Sequence, residues 1–103
     1  MSLDIAILND DGAPSHEVSV SSESHSLLMK QAASLALPQL SRMHDYYEDV
    51  DYTALETRLL QRETKELAIK CAGRPEFCAL VDEIQSLVHL AVNNNKAVVA
   101  IAD

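Results

Sequence analysis

The sequence predicts an α+β fold: an N-terminal β-hairpin and a C-terminal strand forming a small sheet, packed with about four helices. Three observations carry it. Leu3, Ile5 and Ile7 alternate with Asp4 and Ala6 ahead of a turn-forming run, and Val18 and Val20 alternate again after it. Phe77, Leu80, Val81, Ile84, Leu87, Val88 and Ala91 recur at steps of three and four, the pattern of a buried helical stripe. Ala97 to Ala102 is then apolar without alternation and rich in β-branched residues, as in a strand covered on both faces or lying centrally in a sheet.

The elements follow in order. Asn9-Asp10-Asp11-Gly12-Ala13-Pro14 supplies the hairpin turn, with Asx side chains bonding the local backbone and Gly12 at positive φ. It is no calcium loop. With Gly12 at the sharp-turn position of an EF-hand, the first ligand would fall on Ile7 and the closing glutamate on Val18. Ser21 and Ser22 are N-cap residues for a first helix over 22 to 36, with Leu28, Ala32 and Leu35 at helical spacing. Pro38 breaks it at Leu37 and starts a second, short helix. That helix turns Leu40, Met43 and Tyr47 inward and Arg42, Asp45 and Glu48 or Asp49 outward, until Val50-Asp51-Tyr52 unwinds it.

Thr53-Ala54-Leu55-Glu56 is a capping box that opens a third helix. Its expected inner face is Leu55, Leu59, Leu60, Leu67 and Cys71; Arg58, Arg62, Glu63, Lys65, Glu66 and Lys70 form a solvated outer face. Gly73 and Pro75 stop it, and the striped fourth helix follows, ended by Asn93-Asn94-Asn95. Pairing hairpin and C-terminal strand joins the two ends of the chain in one sheet.

At 103 residues the chain reads as one domain, 1–103. Eight basic against sixteen acidic residues leave a charge of -8, which repels nucleic acid and anionic membrane and favours a basic protein partner. No apolar run approaches a membrane span and no signal-peptide pattern opens the chain, so the expected compartment is the cytoplasm. Cys71 and Cys78 match neither a redox pair nor a zinc knuckle and are expected as two small buried side chains. The alternative, a disulfide across the interhelical turn, requires an oxidising compartment.

Glycine loops for phosphate are excluded by the presence of only Gly12 and Gly73, and no nucleophile elbow or His-Glu-x-x-His occurs. The expectation is therefore a non-enzyme with no catalytic residues and no cofactor. What stands out is Leu37 to Tyr52, which holds all three tyrosines and four of the sixteen acids. Tyrosine offers large contact area at low entropic cost, and carboxylates pair with lysine and arginine. The candidate partner-binding residues are Arg42, Asp45, Tyr46, Tyr47, Glu48, Asp49, Asp51 and Tyr52. Two alternatives stand beside this. His44 with Glu48, and Asp45 with Asp49, share one side of the short helix at i, i+4 and would supply metal ligands if His25, His89 or Asp51 came close. Or the tyrosine patch meets its own copy in a homo-oligomer. A plainer reading packs Tyr47 and Tyr52 on the core and leaves the acids as a solvated turn.

The segment Leu37-Pro38-Gln39-Leu40-Ser41-Arg42-Met43-His44-Asp45-Tyr46-Tyr47-Glu48-Asp49, with the closing Val98-Val99-Ala100-Ile101-Ala102-Asp103, resembles a group of small uncharacterised bacterial proteins. Some small acidic proteins of this kind resemble immunity proteins of polymorphic-toxin or contact-dependent-inhibition systems. The resemblance implies a protein-binding role, neutralising a cognate toxin, and no catalytic residues; the charge of the chain would make that toxin domain a basic one.

Overall fold

The computed structural model describes residues 2–71 and 73–103. Strands β1 (Leu3–Leu8) and β2 (Pro14–Val20) pair antiparallel from Leu3↔Val20 to Ile7↔His16, with an irregularity after Ile7. The turn between them uses the expected chemistry. The Gly12 amide donates to the Asn9 carbonyl at 2.9 Å, the Asp11 carboxylate accepts the Ala13 amide at 2.9 Å, and Gly12 sits at φ 85°.

Helix α1 (Ser22–Ser34) starts at Ser21, whose hydroxyl accepts the Ser24 amide at 3.2 Å. It ends in a left-handed turn at Ala36 (φ 54°), where the Leu37 amide donates to Ala32 and the Ala36 amide to Ala33. Helix α2 (Pro38–Ser41) is a single turn. Strand β3 (Val50–Asp51) precedes α3 (Ala54–Lys70) and α4 (Pro75–Asn93), and β4 (Val98–Ala102) closes the chain. Asn95 takes the left-handed position (φ 54°) at the end of α4, so the Lys96 amide reaches the Ala91 carbonyl at 2.8 Å.

The sheet runs β2-β1-β4-β3, antiparallel throughout. The ends of the chain therefore lie side by side at its centre, Ile5 opposite Ala100 and Ile7 opposite Val98. Those residues, with Leu3 and Val20, face the helices and join the core with Leu28, Leu40, Met43, Leu60, Ile84 and Val88. Asp4, Ala6, Val99 and Ile101 point the other way and stay outside that core cluster. Of the two readings of the C-terminal run, the central position holds.

Two expectations are corrected here. Cys71 and Cys78 are joined in a disulfide, Cα atoms 5.8 Å apart, clamping α3 to α4 across their turn. Helix α3 is also rotated relative to its expected inner face. Leu55 and Leu59 are exposed, while Thr57, Glu63 and Thr64 are buried with Leu60 and Leu67. The reason is polar. The Thr57 hydroxyl accepts the Val98 amide at 3.2 Å and donates to the Thr53 carbonyl at 2.8 Å, and Glu63 accepts the amides that open α2. Buried backbone donors need partners, and α3 supplies them.

Candidate functional site: the acidic loop between α2 and α3

The segment after Ser41 does not continue as a helix, because its backbone groups are claimed elsewhere. Continuation would require the Tyr47 amide to donate to the Met43 carbonyl. Instead His25 Nε2 bonds the Met43 carbonyl at 2.6 Å, and the Asp45 carboxylate accepts the Tyr47 amide at 2.9 Å. Arg42, Met43 and His44 close only short turns, onto Gln39, Leu40 and Ser41. Met43 is fully buried and anchors the bend.

The residues from Arg42 to Tyr52 then divide into struts and surface. Tyr52 is 3% exposed, packs in the core and donates its hydroxyl to the Gln39 carbonyl at 2.6 Å. Burial pushes that hydroxyl well above the ordinary tyrosine range. Arg42 lies over the Tyr52 ring, 4.6 Å from its centroid, and bonds the Gln39 side chain, the Asp51 carbonyl and Glu56. The Thr53 amide, and after it Arg42, holds the Glu56 carboxyl below the usual range. Both Arg42 and Tyr52 were expected on a binding surface; one braces the loop and the other is core. Tyr46 is half-buried against His25, ring centroids 5.0 Å apart, and donates to the Val20 carbonyl at 3.1 Å.

Tyr47, expected on an inner helix face, is 67% exposed and meets the Tyr46 ring edge-on at 5.5 Å. Asp45 is half-buried beside it, and together they border a shallow depression with Met29, Lys30 and His44. Glu48, Asp49 and Asp51 are exposed. Asp49 accepts the Ala102 amide at 2.8 Å, which holds it at the β3 side of the sheet, and Asp51 pairs with Val99 in β4. Among the described residues, Asp45, Glu48, Asp49 and Asp51 take part in no ion pair. The expected single corner is thus two neighbouring parts: Tyr47 with Asp45 and Glu48 on the loop, and Asp49 with Asp51 at the sheet edge.

The metal alternative loses its geometry. With no helix across 42–49, the pairs His44/Glu48 and Asp45/Asp49 have no common face, and no three His, Cys, Asp or Glu side chains among the described residues are grouped to hold a cation. His89 bonds Gln61 and Asn93. The residues that shape this loop from outside, His25 and Glu63, were not singled out for that role by the sequence. Glu63 carried a signal, since Thr57, Leu60, Thr64 and Leu67 recur at steps of three and four with Glu63 inside their stripe.

Comparison of the chain with protein-family models, with curated proteins and with solved structures found no match.

Proposed function

We propose that this chain is a protein-binding domain of the immunity type, which occludes a basic domain of a cognate toxin with the loop carrying Asp45, Tyr47 and Glu48 and with the adjoining Asp49 and Asp51. One observation supports it above the others. An exposed tyrosine and carboxylates without ion-pair partners stand on a loop whose backbone is tied at Met43, Tyr47, Asp51 and Tyr52. Such a loop loses little freedom when a partner docks, and its carboxylates remain available to lysine and arginine.

The disulfide bears on where this binding would occur. A structural disulfide persists in oxidising surroundings, which weighs against the reducing cytoplasm expected from the sequence and fits a toxin met outside it. Among the described residues no helix is long and apolar enough to cross a membrane.

An immunity role requires a basic toxin domain encoded by a neighbouring gene, so the test is to search for one, whose absence rejects the role, and to titrate it calorimetrically against this chain at low and high salt. Tyr47→Ala is expected to weaken binding roughly thirty-fold, the scale of an aromatic hot spot. Glu48→Lys is expected to slow association and flatten the salt dependence. Unchanged affinity in both variants rejects the loop as the docking surface. The homo-oligomeric alternative is separated by light scattering, in which a mass above that of one chain that falls on Tyr47→Ala supports self-association.

A further inference from the structure

Strand β2 forms one edge of the sheet, with β1 on one side and, among the described residues, no strand on the other. Proteins usually blunt such edges with charged side chains, internal proline, β-bulges, short length or a covering element. The irregularity in β2 lies at its start, between Pro14 and His16, and His16 to Val20 keep regular register. β2 has seven residues, no lysine or arginine, and its proline stands at the first position. Pro14, Ser15, His16, Glu17 and Ser19 are exposed. Between this strand and α4 runs a groove of about 680 Å³, floored by Val18, Leu87 and Leu90 and bordered by His16 on the strand and by Asp82 and Glu83 on the helix. Neither lysine nor arginine lines it.

We infer that this edge and its groove dock an extended, basic segment of a partner protein as an added strand. Main-chain groups along Ser15 to Ser19 would supply the ladder, and alternate side chains of the incoming strand would enter the groove over Val18, Leu87 and Leu90. Lysine or arginine stems cover the same apolar floor while their heads reach Asp82 and Glu83. The far end of the site is set by Tyr46, whose hydroxyl takes the Val20 carbonyl.

Charge selects the occupant. Two carboxylates of α4, Asp82 and Glu83, border the groove, and the chain carries a net charge of -8, so an acidic strand is repelled and a basic one attracted. The same argument disfavours a second copy. Two β2 strands paired antiparallel about their midpoint would set Glu17 against Glu17, a like-charge pair directly opposite in the sheet.

The probe is a synthetic peptide of alternating lysine and valine with blocked ends, compared with its glutamate-valine counterpart, using calorimetry and amide hydrogen exchange on the full chain. The expected result is binding of the lysine peptide alone, slowed exchange at Ser15 to Ser19, and a loss of affinity of roughly ten-fold or more in the Asp82→Lys/Glu83→Lys variant. Both positions are exposed on α4, so the variant is expected to fold. Tyr47→Ala, which tests the acidic loop, leaves this binding unchanged. The inference is overturned by equal binding of the glutamate peptide, by no binding of either, by protection outside β2, by indifference to the double charge reversal, or by loss of the peptide in Tyr47→Ala. Protection of β2 that depends on protein concentration without peptide assigns the edge to a second copy and overturns it too.

Discussion

Glu63 of α3 accepts the backbone amide of Leu40 at 2.8 Å with one carboxylate oxygen, and the other accepts Gln39 at 3.0 Å. A side chain on the third helix thereby satisfies the open amides of the one-turn second helix, which has no side-chain cap of its own. Glu63→Ala leaves those amides unpaired in a buried setting and is expected to destabilise the fold by about 3 kcal/mol. Glu63→Gln keeps one acceptor and is expected to cost about 1 kcal/mol. Urea unfolding midpoints check both, and equal midpoints for the alanine variant and the parent would remove Glu63 from this role.

Tyr52 gives a pH dependence whose sign follows from its burial. The folded protein holds the Tyr52 proton to a higher pH than the unfolded chain does, because the phenolate would lie in the interior. Its contribution is fully present below about pH 10, the ordinary tyrosine value, and falls as pH rises from there, by up to about 1.4 kcal/mol per pH unit. Urea unfolding from about pH 9 to about pH 11.5 is expected to show that decline. Tyr52→Phe is expected to lose about 1 kcal/mol at neutral pH, with the hydrogen bond to Gln39, and to show a shallower alkaline decline.

The disulfide closes a short loop between positions seven apart. Loop-closure entropy for a ring of that size corresponds to about 2.5 kcal/mol. Reduction, or Cys71→Ser/Cys78→Ser, is expected to lower stability by about that amount. Thiol titration of the unfolded, unreduced protein should find no free thiol, and two titrating thiols would contradict the bond.

Strand β4 lies between β1 and β3, so a chain ending at Lys96 loses two of the three strand pairings of the sheet together with core residues Val98 and Ala100. The truncated chain is expected to show no cooperative urea transition. A sigmoidal transition of unchanged steepness would show that the helices and hairpin hold the fold without it.

Elements set by local chemistry were legible in the sequence. The hairpin, the Ser21 cap, the break at Leu37, the Thr53 capping box and the α4 stripe each depend on residues within a few positions of one another, and each stands where that chemistry puts it. Less legible were the features decided by contacts between distant positions. The loop bears its tyrosines as the sequence shows, yet which ring faces outward depends on His25 at Met43 and on the Val20 and Gln39 carbonyls, all outside the loop itself.

The sequence by itself determined the α+β class, the helix starts, the acidic character and the segment where tyrosine and carboxylate gather. Only the tertiary structure decided the antiparallel pairing of the chain ends, the turn of α3 that buries Thr57 and Glu63, the bond between Cys71 and Cys78, and the division of Arg42 to Tyr52 into brace and surface. The physical reason is common to them. A side chain's propensity is a local quantity, but a buried amide or carbonyl takes whatever partner the fold brings within about 3 Å, and that partner can come from anywhere in the chain.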